Sequence, residues 1–252
     1  MTNRNIFLYW VGEEYKLIKL LRKLIHLHSK NGQGYTVHLI NETNIQEYLD
    51  VVPTYFNRLL PAHQADYVRV QVVCKYGGIW LDSDTLVMHS LDSLFDLIER
   101  KDGFFILETS IYGVHICNGV FGSKANTPLM LKIKEDIEIV LSKEHIQWTE
   151  AGSGILNSIK EKTPALLENY EIFDGSQNMY PVTWNECVKE FIHNSYNNYR
   201  SIVREYQPLI ILVNSVYKEL ENKSDEEILN GHTPLNYFID LSFQNINTDK
   251  SF

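Results

Sequence analysis

Short apolar runs alternate with segments of helical period along most of the chain. Asn5–Val11, Asn-Ile-Phe-Leu-Tyr-Trp-Val, is too short and too rich in strand formers for a helix, and it predicts a buried strand. From Glu13 to Ser29, Leu17, Leu20, Leu21, Leu24, Ile25 and Leu27 recur at near-helical spacing. Asn31-Gly32-Gln33-Gly34 stops that helix before Tyr35–Ile40 resumes strand character. Pro61 to Tyr76 places Ala65, Val68, Val72 and Val73 close to one helical face, with Pro61 suited to the first turn and Gly77-Gly78 to the stop. The strand Ile79-Trp80-Leu81 follows at once, and Leu86-Val87-Met88 reads as its short extension.

Phe104–Glu108 and Asn118–Gly122 predict two more strands, and Thr127–Lys143 a long helix with Pro128 in its first turn. Ala151-Gly152-Ser153-Gly154 reads as a permissive loop before another helix; Tyr170–Phe173 and Pro208–Val213 read as strands. The polar tail from Lys223 to Phe252 carries a helical Pro234–Leu241 segment. Strands and helices in this order predict an α/β fold, a mixed and mainly parallel sheet flanked by helices on both faces. One sheet domain is expected over residues 1–222, with a C-terminal helical extension over 223–252 packed on it.

Composition narrows the function. The 252 residues are 44% hydrophobic and 22% charged, ordinary globular values, so disorder and coiled coil are excluded for the chain as a whole. A formal charge of −9 with scattered basic residues opposes a nucleic-acid partner; the densest basic cluster, Lys16 to Lys30, is the solvated side of an amphipathic helix. No run reaches the length of a membrane span, so no integral membrane segment is expected. Cys74, Cys117 and Cys187 are far apart and lack a metal spacing; thiols in a reducing, cytoplasmic compartment explain them. The nine histidines show no zinc spacing.

The candidate chemistry gathers at Asp82-Ser83-Asp84, just beyond the strand Ile79-Trp80-Leu81. Two carboxylates separated by one residue at a strand end can address a hard divalent cation, Mn²⁺ or Mg²⁺, that keeps open positions for phosphate oxygens, which implies a diphosphate substrate. Asp66 and Arg69, three apart on the preceding helix, share a face and offer a hydroxyl acceptor beside a cation for phosphate; an i,i+3 surface ion pair is the plainer reading.

Taken together, Asp66-x-x-Arg69, six further residues and Tyr76-Gly77-Gly78-Ile79-Trp80-Leu81-Asp82-x-Asp84 resemble the nucleotide-sugar core of glycosyltransferase family 32. They are similar as well to capsular polysaccharide synthesis glycosyltransferases and to the glucosylating domains of large clostridial toxins. The resemblance implies a GT-A type fold and metal-dependent transfer of a hexose from a nucleotide sugar, a UDP-sugar by preference, to a glycan or protein hydroxyl with retention. It implies that Asp66 binds donor hydroxyls, Arg69 the diphosphate or sugar, Asp82 the ribose and sugar with Ser83 beside it, and Asp84 the metal. Trp80 would line the same pocket, Trp10 would stack on the base, and Asn118 would meet a sugar hydroxyl.

Where the family often has Thr-Gly-Pro facing the acceptor, this chain has Ala151-Gly152-Ser153-Gly154, which makes Gly152 and Ser153 the acceptor-side candidates; Tyr112 is a further one. The C-terminal Ser-Trp pair of many relatives is missing. Asn214, as a further metal ligand, with Ser215 and Tyr217 on the donor, takes its place, and His193 with Asn194 is the runner-up. Two alternatives stand beside this reading: a haloacid-dehalogenase-type phosphatase using Asp82 and Asp84, and a sugar-nucleotide binder without catalysis.

Overall fold

The computed structural model describes residues 4–30, 34–110, 113–179, 182–183, 185–195, 207–213 and 224–248. The N-terminal run forms β1 (Asn5–Tyr9), and the leucine-rich segment forms α1 (Lys16–Ser29), which leads to β2 (Thr36–Ile40) and a single turn, α2 (Ile45–Tyr48). Next come α3 (Pro61–Tyr76), β3 (Gly78–Leu81), β4 (Thr85–Val87), α4 (Asp92–Arg100), β5 (Gly103–Ser110) and β6 (Gly113–Ser123). The remainder comprises α5 (Pro128–Leu141), α6 (Ile155–Lys162), β7 (Tyr170–Asp174), α7 (Gly175–Asn178), β8 (Leu209–Ile211), α8 (Asp225–Leu229) and α9 (Pro234–Thr248).

Among the described residues six strands make the main sheet, in the order β2-β1-β3-β6-β5-β7. The pairs β1/β2, β1/β3 and β5/β7 are parallel, whereas β6 runs antiparallel to both β3 and β5. The sheet is mixed and mainly parallel, as the element order predicts. Its period-2 alternation sorts the side chains cleanly. Phe7, Trp80, Phe105 and Phe121 face the layer of α3, α5 and α6. Ile6, Leu8, Ile79, Leu81, Phe104 and Val120 face α4 and Ile25 of α1.

The boundaries of α3 match the expectation, but its environment does not. Beyond its apolar face it also buries His63, Asp66, Arg69 and Gln71, because it lies between the sheet and α5. Gly77 and Gly78 turn this helix into β3 with positive φ angles of 66° and 124°. A Cβ on Gly78 would stand 2.4 Å from the Asn5 carbonyl oxygen, so the close parallel approach of β3 to β1 needs glycine there.

Three expectations change. Leu86-Val87-Met88 does not extend β3: the chain turns after Leu81, with Thr85 N–H donating to the Asp82 carbonyl at 3.0 Å. β4 then pairs antiparallel with β8 in a separate two-stranded ribbon, so Pro208–Val213 adds no strand to the main sheet. Ala151–Gly154 is not a loop but part of a π-helical turn, Glu150–Gly154, closed by Gly154 N–H to Thr149 O at 2.8 Å and continuous with α6. α9 is longer than the Pro234–Leu241 pattern indicated. It seals a third apolar cluster with α1 and the ribbon, where the Ser242 hydroxyl donates to Val87 O at 2.6 Å and meets His28 Nε2 at 3.1 Å.

Phe121 stacks on Phe105 with centroids 5.3 Å apart at the centre of the sheet. Phe121→Ala is expected to cost about 3–5 kcal/mol, read by urea denaturation, whereas the same truncation of the exposed Ile139 on α5 should stay within about 0.5 kcal/mol.

Candidate active site

The candidate residues meet where α3 passes over the C-terminal end of β3 and the middle of the antiparallel β6. Arg69 is only 5% exposed. Its Nη2 lies 3.2 Å from Asp82 Oδ1 and 3.5 Å from Asp66 Oδ1. Its Nη1 donates to the Asn118 carbonyl at 2.5 Å, and its Nε to the Ala65 carbonyl at 3.2 Å. The guanidinium also sits 5.1 Å from the Trp80 ring centroid, a cation–π contact. All three of its nitrogens are engaged. The i,i+3 pair is therefore buried structure rather than a surface pair, and Arg69 does not stand as an open cation for phosphate: it positions the carboxylates on either side of it.

Those carboxylates are fixed from several directions. Asp66 Oδ1 accepts from Asn118 Nδ2 at 2.8 Å, and its Oδ2 lies 3.4 Å from His63 Nδ1. Asp82 Oδ1 accepts from the Trp80 indole N–H at 2.8 Å, and Asp82 N–H donates to Gly119 O at 2.8 Å. Trp80 is itself 1% exposed, so it acts on the pocket through that indole N–H rather than as an exposed lining. Burial raises the Asp82 carboxyl above the usual range; the Arg69 cation and the Trp80 N–H oppose the shift, and the Asp66 charge adds to it.

The turn beyond β3 completes the floor. Ser83 donates to the Tyr9 carbonyl at 3.0 Å, which pins the Asp82-Ser83-Asp84 turn to the end of β1, one residue before Trp10. Trp10 is half-buried, with Tyr15 edge-on at 6.0 Å and its indole nitrogen buried without a partner among the described residues. The Asp84 carbonyl accepts from Leu212 N–H at 3.1 Å, so the end of β8 arrives beside the metal candidate. Asn214, Ser215 and Tyr217 follow directly and lie outside the described residues, as does Tyr112. The runner-up pair His193 and Asn194 instead follows Phe191, which packs on Phe238 of α9.

On the opposite side, the π-helical turn is pressed onto Asn118. A Cβ on Gly152 would lie 2.7 Å from Asn118 Nδ2, and one on Gly119 would lie 2.9 Å from Asp82 Oδ2. At both positions the lack of a Cβ lets the polar groups meet in this arrangement. Ser153 contributes its carbonyl, which accepts from Asn157 at 2.7 Å. Sequence reasoning missed three residues here: Gly119, Cys117 and His63, although the i,i+3 spacing of His63 and Asp66 was visible.

The donor set suits a hard cation. Asp82 and Asp84 offer carboxylate oxygens on one turn, and among the described residues no group of three or more His, Cys, Asp or Glu could form a closed cage. One or two carboxylates, with the remaining positions left to water and substrate phosphate, is the habit of Mg²⁺-type sites.

The architecture is that of a GT-A glycosyltransferase. Over 99% of the chain it superposes on 62% of the glycosyltransferase GlyE of Streptococcus pneumoniae TIGR4, with TM-score 0.54 and 16% identity. It also matches a glycosyltransferase involved in glycosylation of the major capsid of PBCV-1, with TM-score 0.52 and 14% identity, covering 87% of this chain and 98% of that one. The family model for capsular polysaccharide synthesis proteins matches residues 1–147, and the chain belongs to that family. The O-glycosyltransferase braB of Annulohypoxylon truncatum is 26% identical over 158 residues, 55% of this chain and 37% of that protein. An uncharacterised Arabidopsis thaliana protein is 28% identical over 99 residues, 35% of this chain and 14% of its own length. The chain thus spans well under half of these curated relatives. The fold sets aside the dehalogenase-type phosphatase, and Asp82, its required nucleophile, is held by Trp80 and Arg69.

Replacing Arg69 with Met is expected to destabilise the fold by about 3 kcal/mol, the low end for a broken buried ion pair because Asp82 remains 33% exposed; chemical denaturation measures it. The Cys117 thiol, half-buried, is pushed up to about 12 by burial and by the Glu108 charge. It should react with iodoacetamide at pH 8 far more slowly than free cysteine, as read by intact-mass spectrometry of the native and the denatured protein.

Proposed function

We propose that this protein transfers a hexose from a nucleotide-sugar donor, a UDP-sugar, to a glycan or protein hydroxyl, using Mn²⁺ or Mg²⁺. The observation that supports this most is the Asp66–Arg69–Asp82–Asn118 network at the end of β3 and the middle of β6, with Asp84 on the adjoining turn. Asp84 is the principal metal ligand and Asp82 its support; a residue in 214–217, Asn214 foremost, completes the protein's share. The bound cation supplies charge stabilisation to the departing nucleoside diphosphate. Trp10 stacks on the base, Asp66 and Asn118 hold sugar hydroxyls, and Arg69 keeps Asp66 and Asp82 aimed. Ser83, Ser215 and Tyr217 stand around the diphosphate, and Gly152 and Ser153 on the acceptor side.

The reaction retains the anomeric configuration through an oxocarbenium-like transition state, and departure of the diphosphate on the face that the acceptor approaches needs no protein nucleophile. Residues 1–222 form the catalytic unit and 223–252 its extension. Cys74, Cys117 and Cys187 are in thiol form, which supports a cytoplasmic location. Among the described residues no helix is long and apolar enough to cross a membrane.

A panel of nucleotide sugars, each with and without Mn²⁺, tests the proposal through thermal shift and release of nucleoside diphosphate. One donor should stabilise the protein and turn over only with metal, and Asp84→Asn should lower turnover by about 10²-fold or more without unfolding the protein. Undiminished turnover in chelator would overturn the metal mechanism. Donor binding without turnover of any acceptor would favour the non-catalytic binder.

A further inference from the structure

One large aromatic residue near the site contributes little to the core. Trp148 is 67% exposed, yet its ring lies 6.0 Å from that of His63, the same imidazole whose Nδ1 faces Asp66 Oδ2 at 3.4 Å. The indole is thus one side chain removed from a carboxylate placed here on the donor. It stands on the rim that continues, two residues later, into the π-helical turn packed on Asn118.

The segment carrying Trp148 is held in place. Arg58 donates to the Ser142 and Lys143 carbonyls at 2.8 and 3.3 Å, and Lys143 pairs with Glu150. Gln147 N–H donates to Glu150 Oε2 at 3.2 Å, while Ile146 packs into the core beneath. Leu60, three residues before His63 at the start of α3, is also exposed, at 57%. An exposed indole on a pinned backbone keeps a flat apolar face in water without the ordering cost that a mobile loop would carry into binding.

We propose that Trp148, braced by His63, is the platform on which the acceptor stacks, and that the acceptor is accordingly a carbohydrate whose ring presents an apolar C–H face rather than a protein side chain. This rests on the glycosyltransferase reading and names its second substrate class. The platform and the donor carboxylate meet at His63, so a sugar stacked on Trp148 has its hydroxyls directed toward the Asp66–Asn118 side of the pocket.

Transfer from the donor found in the panel is measured against methyl and p-nitrophenyl hexosides, lactose, and a Ser/Thr-containing peptide. Trp148→Ala should raise the KM for the glycoside acceptor by about tenfold, while the donor KM and the thermal midpoint hold and Trp148→Phe recovers most of the loss. An unchanged acceptor KM, or an equal rise in the donor KM, would overturn the platform. Transfer to the peptide alone would overturn it while leaving the glycosyltransferase intact. Failure of the wild type to consume any nucleotide sugar would remove both.

Discussion

The structure turns on one buried cation. A guanidinium withdrawn from water is costly unless its charge and its donors are matched, and Arg69 is matched by Asp66, Asp82, two backbone carbonyls and the face of Trp80. Besides Ala65 and Asp66 on its own helix α3, the partners come from three other places in the fold: Trp80 from β3, Asp82 from the turn after it, and Asn118 from β6. The cation therefore fixes the distance between the helix and the two central strands. It also fixes the two carboxylates that the proposed chemistry employs.

The sheet explains why the network falls at this place. β3 lies where the parallel strands β2 and β1 meet the antiparallel β6. β1 pairs with it as far as Trp80 and β6 as far as Leu81, and the chain then leaves the sheet to form the ribbon with β8. Such a change of direction at a strand's carboxyl end opens the kind of crevice in which α/β sheets bind ligands. Glycines at 119 and 152 let backbone and polar side chains close around it without a Cβ between them.

The polar centre and the rim obey different constraints. Inside, each hydrogen bond to Asp66 or Asp82 replaces lost water, and an unpaired group there would be expensive. Outside, Trp148 is retained on a braced segment despite gaining little from packing. The third apolar cluster, built by α1, the ribbon and α9, takes in Leu86, Met88 and Leu212, and Ser242 of α9 donates to the Val87 carbonyl between the first two.

Local chemistry in the sequence determined much of this. Pro61, the Gly77-Gly78 stop and the apolar run after it identify α3 and β3 to the residue or nearly so, because helix starts, positive φ and strand propensity are short-range properties. The pattern Asp66, Arg69, Asp82, Asp84 likewise stood out, since its spacing alone joins a helix face to a strand end. What the sequence did not hold was the burial of Arg69, whose partner Asn118 is 49 residues away, or the departure of β4 to a strand more than 120 residues later. Nor could it place Trp148 beside His63, 85 residues before it. Those outcomes depend on which surfaces close over one another, and only the folded chain decides whether a charged residue faces water, a phosphate or another part of itself.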